Sequence, residues 1–169
     1  RTRDWRGITS HWQIDFKSVA KSNNGCTTIM YAINSDGRFL KMWALPSRGA
    51  QHVLKALTQL VLEYRPQTIH SDNEGAMTGA AVTGFLAVQG VEQTFTESHH
   101  PESNGTAECV SAFINFCLRV LSTAEYKRWD TLIYKWCQAW NCTYKAVIRC
   151  SPFELLFGSP PNLPTAKIG

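Results

Sequence analysis

No stretch of this sequence approaches the roughly 20 consecutive apolar residues that a membrane-spanning helix requires, so no such helix is expected within it. The opening residues, Arg1-Thr2-Arg3-Asp4, lack the pattern of a secretory signal. None of the six cysteines (Cys26, Cys109, Cys117, Cys137, Cys142, Cys150) stands in a C-x-x-C pair, and the five histidines complete no zinc pattern with them. Four of the cysteines fall in segments that read as helix, where a free thiol acts as a small apolar group. Reduced, structural thiols in an intracellular protein are therefore expected. Repeats, low-complexity tracts and internal linkers are also missing, so residues 1–169 read as one domain. Charge is sparse: 18% of residues are charged and the net charge is +4, compatible with contact to phosphate backbones but no argument for it alone.

What is present is apolar, 44% of the chain, and too regularly placed for a disordered segment. Trp12, Ile14 and Phe16 alternate with polar neighbours and predict a strand over residues 10–19. A Thr-, Ile- and Tyr-rich run predicts a second strand over 26–34, and the turn formers Ser35-Asp36-Gly37-Arg38 lead to a third over 38–45. The short connections imply an antiparallel meander. The period then changes, and Val53, Leu57, Leu60 and Val61 mark a helix over 49–64 that Pro66 ends. A strand over 67–71 stops at Asp72, and a strand–helix–strand order suggests that it pairs in parallel with an earlier strand. A short helix over 77–89 and an edge strand over 92–96 follow. After a loop of turn formers at 98–105, a long helix begins near Thr106 with the apolar stripe Ala107, Val110, Ile114, Cys117, Leu118 and Leu121. A further helix is expected over 129–144, and Ser151-Pro152 opens a last short one. The pattern is α/β: a five-stranded mixed sheet flanked by helices.

Three acidic residues occupy telling places. Asp15 interrupts an apolar strand, Asp72 closes another, and Glu108 lies in the first turn of the long helix. A carboxylate within a core strand is costly unless paired or bound to a cation. Each position alone is more commonly a hydrogen-bonded or dipole-favoured residue than a ligand; it is the three together that matter. Ser111, Asn115 and Arg119 continue the polar side of the helix from Glu108, opposite the apolar stripe. Converging carboxylates repel one another, and hard cations such as Mg²⁺ or Mn²⁺, which prefer oxygen ligands, remove that conflict. His99 and His100 lack partner cysteines and are assigned to the loop. Glu74, Glu97 and Glu102 are expected to face solvent. No activated Ser, Tyr or Cys nucleophile stands out in these segments.

The same segments resemble a known family, the integrases of retroviruses and long-terminal-repeat retrotransposons. His11-Trp12-Gln13-Ile14-Asp15-Phe16 is similar to their first catalytic strand and Ile69-His70-Ser71-Asp72-Asn73 to their second motif. His100-Pro101-Glu102-Ser103-Asn104-Gly105-Thr106-Ala107-Glu108 resembles the third, with 35 residues between Asp72 and Glu108, the D,D-35-E spacing. Ser151-Pro152-Phe153-Glu154-Leu155-Leu156-Phe157-Gly158 resembles the family's closing motif, and the likeness spans residues 8–158. It departs from the family's usual pattern at Cys109, where Arg is common, at Ser111 for Asn, at Asn115 for Lys, and at Glu74 for Gly. These changes leave the DNA-facing side of the long helix with less charge.

The resemblance implies an RNase H-like fold, 3′-end processing and DNA strand transfer, with two Mg²⁺ or Mn²⁺ ions on Asp15, Asp72 and Glu108. It implies double-stranded DNA as partner, both element ends and target, with contacts at Ser103, Asn104, Ser111, Asn115 and Arg119. It also implies a homodimer through the core and action in the nucleus, with passage in a virion or virus-like particle beforehand. The chain begins and ends without obvious boundaries and is expected to be a piece of a longer polyprotein; neither a zinc-binding amino-terminal domain nor a carboxyl-terminal DNA-binding barrel is recognised within residues 1–169. Trp129, Ile133, Trp136, Cys137 and Trp140, with Leu132 and Ala139 beside them, suggest a helix apolar around most of its circumference. Such a helix is either deep in a core or shared with a partner; in a small domain part of it is expected in a two-fold interface, with a contribution from the 49–64 helix, and the opposing reading is a core helix within a monomer. Two rivals stand beside this reading: a domesticated integrase acting as a DNA-binding or assembly module, and an RNase H-like nuclease acting on RNA–DNA hybrids.

Overall fold

The computed structural model describes residues 7–96 and 105–164. Its strands are β1 (His11–Ser18), β2 (Thr28–Asn34), β3 (Leu40–Leu45), β4 (Thr68–Asp72) and β5 (Glu92–Thr96), in the sheet order β3-β2-β1-β4-β5. The first three form the expected antiparallel meander, while β4 pairs in parallel with β1 and β5 in parallel with β4. It follows that β1, β3, β4 and β5 all run the same way and end at one edge of the sheet. The helices are α1 (Ala50–Tyr64), α2 (Gly75–Thr78), α3 (Ala80–Val88), α4 (Gly105–Arg119), α5 (Thr123–Tyr126), α6 (Ile133–Asn141) and α7 (Pro152–Phe157).

Both faces of the sheet are covered. On one, Trp12, Ile14 and Phe16 of β1 pack with Val53, Leu57 and Leu60 of α1 and with Val82 and Leu86 of α3. On the other, Ile29, Tyr31 and Ile33 of β2 and Leu40 and Met42 of β3 pack with Val110, Ile114 and Cys117 of α4 and with Ile133 and Trp136 of α6. Coverage on both sides leaves every β2 residue buried, which is why that strand reads as a continuous run rather than an alternating one. Helix α1 stops where Arg65 takes the left-handed conformation and returns its N–H to the Val61 carbonyl, one residue before Pro66. Helix α7 starts as expected: the Ser151 hydroxyl accepts from the Glu154 amide at 3.1 Å and Pro152 fills the first turn.

Three expectations change. The helix expected over 77–89 is two helices, α2 and α3, because the extended backbone of Gly79 ends one and starts the other. Helix α5 was unforeseen, although Ser122 and Glu125 form a complete capping box at its start. The helix expected over 129–144 is shorter: a 3-10 turn at Trp129–Thr131 precedes α6, and Cys142 caps α6 rather than lying within it.

The last difference removes the argument for a partner on this helix. Trp129 is 0% exposed and donates its indole N–H to the Ala20 carbonyl at 2.8 Å. Trp136 and Ile133 are buried, and Trp140 packs on Phe113 while donating to the Arg38 carbonyl at 2.8 Å. Tyr134, Lys135, Gln138 and Ala139 face outward. The chain encloses Trp129 and Trp136 and half-buries Trp140, because α4, α6 and the back of β2 and β3 make a second core of their own. All six cysteines are free.

Candidate active site

Asp15 lies on the α4 side of the sheet. Its partner across the ladder is Tyr31, which belongs to the cluster under α4, while its neighbours Ile14 and Phe16 point into the opposite core. The carboxylate is held by two donors: the Phe16 amide reaches Oδ1 at 2.8 Å and the Tyr31 hydroxyl reaches Oδ2 at 3.0 Å. Asp72 closes β4 and is exposed. The parallel register pairs Ile14 with Ser71, so its next step sets Asp15 beside Asp72, on one face of two adjacent strands. The sequence reading expects Asp15, Asp72 and Glu108 at one site; this register brings the first two together.

The electrostatics agree with that geometry. Burial raises the pKa of Asp15 above the usual carboxylate range; its two hydrogen bonds oppose the shift, and the charges of Asp72 and Glu74 add to it. Tyr31 is 1% exposed, and burial together with the neighbouring Asp15 pushes its phenol well above the usual range. His70, two residues before Asp72, is pulled below its usual value by burial, partly offset by Asp72. Both its ring nitrogens are engaged, Nδ1 with the Thr94 hydroxyl and Nε2 with the Thr96 hydroxyl, each at 2.7 Å. A neutral imidazole locked between two hydroxyls on β5 is a brace for the strand end.

Glu108 lies in the first turn of α4 and is exposed, with Ala107, Val110, Ile114 and Cys117 anchoring the helix behind it. One turn on, the Ser111 side chain hydrogen-bonds the Tyr31 phenol, the same group that donates to Asp15. A relay of hydroxyls thus ties α4 to the carboxylate on β1. Arg38, from the β2–β3 turn, donates to the Thr106 hydroxyl and tethers the start of the same helix. Among the described residues, no group of three or more His, Cys, Asp and Glu side chains stands close enough to hold a metal; the structure brings together Asp15 and Asp72.

Of the residues expected to touch DNA, Asn115 and Arg119 are exposed along the Glu108 side of α4, and Ser111 is half-buried against Tyr31. Ser103 and Asn104 lie outside the described residues, as do His99, His100, Glu97 and Glu102. Glu74 does not simply face solvent: it is half-buried and ion-paired with Arg48. The sequence reading missed both Tyr31 and Arg48. A tyrosine directly across from a strand acid, and an arginine in a link ending at the same sheet edge, were the available signals.

Comparison with known proteins completes the picture. Residues 8–101 match the family described as integrase core domain. The chain is 27% identical over 154 residues to the Pro-Pol polyprotein of Simian foamy virus type 3 (strain LK3), covering 91% of this chain and 14% of that protein. It is 24% identical over 148 residues to the Retrovirus-related Pol polyprotein from transposon 412 of Drosophila melanogaster, covering 86% of this chain and 12% of that protein. The chain therefore spans only a small part of these polyproteins. Among solved structures, the catalytic core domain of BIV integrase superposes with a TM-score of 0.70 at 18% identity, covering 89% of this chain and 95% of that one. The fold is RNase H-like, as expected.

Proposed function

Because this chain belongs to the integrase core domain family, we propose that it is the catalytic core of a retroelement integrase, which processes DNA 3′ ends and transfers them to target DNA. The observation that carries this reading is the pairing of Asp15 with Asp72 on adjacent parallel strands, at the edge where four strands end. Ligands of α/β sheets gather at such edges.

The carboxylates suit Mg²⁺ or Mn²⁺. The donors are hard oxygens, and Asp15 is half-buried beside two further carboxylates, a conflict that divalent cations relieve. Asp15, Asp72 and Glu108 would hold the ions, Glu108 being brought in by α4. When bound, two such ions lower the cost of forming the attacking oxygen and stabilise the leaving one. Phe16 and Tyr31 orient Asp15 through its two oxygens, His70 stiffens the end of β4, and the Tyr31–Ser111 contact sets α4 against the strand. Water attacks the phosphorus in end processing, and the freed 3′-hydroxyl attacks in strand transfer. In each step one P–O bond forms, one breaks, and the leaving oxygen takes up a proton. The chain need supply no covalent nucleophile.

Such an enzyme acts on nuclear DNA, and joining two ends to one target requires at least two active sites. A two-fold dimer through the core is proposed on that ground; of the α6 tryptophans, Trp136 is buried within the chain and Trp140 is partly buried. A second reading, an integrase-derived module without strand transfer, draws support from α4: Cys109, Ala112 and Phe116, with Val120 just past its end, make an exposed apolar stripe next to the Glu108 side. Nicking and joining of labelled duplex DNA in Mn²⁺, wild type against Asp72→Asn, separates the two. Activity lost only in Asp72→Asn supports the integrase. A wild type that stays inert even when joined to its native flanking domains supports the module, and preferential cutting of an RNA–DNA hybrid supports a ribonuclease.

A further inference from the structure

The segment between β3 and α1 carries Arg48, and its guanidinium joins three strand ends. One nitrogen donates to the carboxylate of Glu74, just past β4, and the other to the hydroxyl of Ser18, the last residue of β1, at 2.9 Å. The guanidinium carbon stands 5.4 Å from the centre of the Phe16 ring. Because β1, β3 and β4 end at the same edge, this one side chain spans that edge from the Phe16 side of the sheet, the face opposite the Asp15 carboxylate. Glu74 is fixed at both ends: its side chain by Arg48, and its backbone carbonyl by the amides of Met77 and Thr78, at 2.9 and 3.0 Å, where α2 begins. The turn Asp72-Asn73-Glu74 is therefore pinned one residue beyond Asn73, close behind the candidate ligand. A planar, two-pronged donor suits this role: its two nitrogens are held apart in a rigid fork, whereas an ammonium's three donors share one nitrogen on a flexible stem.

We propose that Arg48 and Glu74 act together as a positioning pair for the cation site, holding the turn that presents Asp72 to Asp15. The proposal rests on the reading of Asp15 and Asp72 as cation ligands. It assigns a role to a carboxylate that stands where the resembling integrases usually have glycine. A rival account treats the pair as charge alone: Glu74 adds a negative charge near Asp15 and Arg48 cancels it. The two accounts differ in sign. By charge alone, Arg48→Ala tightens cation binding and Glu74→Ala loosens it. By positioning, both loosen it, and the double variant is no worse than either single one.

Mn²⁺ titration of the 169-residue chain, followed by water-proton relaxation, reads this directly. Arg48→Ala and Glu74→Ala are each expected to weaken binding by about 10-fold or more, the usual effect of removing a group that orients a ligand. Arg48→Lys, which keeps the charge and loses the fork, is expected to bind more weakly than wild type as well, and it serves if the alanine variant fails to fold. Tighter binding by Arg48→Ala overturns the proposal. So do unchanged binding in Arg48→Ala and Arg48→Lys, and additive losses in the double variant. Asp72→Asn separates the two levels. If the wild type binds no Mn²⁺, or if Asp72→Asn binds like wild type, the cation reading fails and takes the pair with it. If wild type binds, Asp72→Asn does not, and the Arg48 variants match wild type, only the pair fails.

Discussion

Tyr31→Phe removes a single hydroxyl from the centre of the site and leaves the ring that packs under α4. That hydroxyl donates to Asp15 Oδ2 at 3.0 Å and receives Ser111 from α4. A hydrogen bond to a charged group contributes about 1.5–3 kcal/mol to stability. Asp15 keeps its bond from the Phe16 amide at 2.8 Å and is only half-buried, so water replaces part of the loss and the lower end applies, about 1.5 kcal/mol. In a domain of this size each kcal/mol moves the melting temperature by about 2–4 °C, giving an expected drop of about 3–6 °C in chelator-treated protein. The same change should weaken Mn²⁺ binding by about 10-fold, because a ligand loses its orienting partner. Ser111→Ala should do less alone and nothing further on top of Tyr31→Phe, since both act through one relay. Calorimetric melting and Mn²⁺ titration of the four proteins test this. An unchanged melting temperature in Tyr31→Phe, or additive losses in the double variant, would refute the relay.

Other outcomes follow from neighbouring features. Asp72→Asn should abolish Mn²⁺ binding and DNA joining while leaving the melting temperature of metal-free protein nearly unchanged, because Asp72 is exposed at a strand end; a large loss of stability would make it a structural residue. Asp15 is a carboxyl whose folded pKa is raised, so the metal-free fold loses stability as pH rises through that value. Asp15→Asn should therefore be at least as stable as wild type at neutral pH, with a gain that shrinks as pH falls below the unfolded carboxylate range. Metal-free melting across pH checks the sign. Trp129→Ala should destabilise the fold by about 3–5 kcal/mol, as expected for emptying a fully buried aromatic site, and a loss under 1 kcal/mol in urea unfolding would contradict the enclosed second core.

Much of this architecture was legible from periodicity. The alternation in β1 placed Trp12, Ile14 and Phe16 on one face and so Asp15 on the other, and the order of strand, helix and strand correctly suggested that β4 lies parallel to an earlier strand. The limits are equally specific. Tyr31 read as one more strand former, because its role depends on the register that sets it across from Asp15, and register across the loop from Val19 to Thr27 is not written in composition. Arg48 lies in a link with no period at all, and its partner Glu74 is 26 positions away. The tryptophans near α6 show a different limit. Apolar residues around a helix signal burial, but the pattern does not distinguish burial in a partner from burial in a second core, and here β2, β3 and α4 supply that core.

The central claim is that Asp15 and Asp72, with Glu108 brought in by α4, hold divalent cations. Crystals of the chain soaked in Mn²⁺ and measured near the manganese absorption edge test it most directly. The account predicts an anomalous peak bridging the carboxylates of Asp15 and Asp72, lost in Asp72→Asn crystals grown in the same form. A map with Mn²⁺ at other acidic residues and none between these two would contradict it.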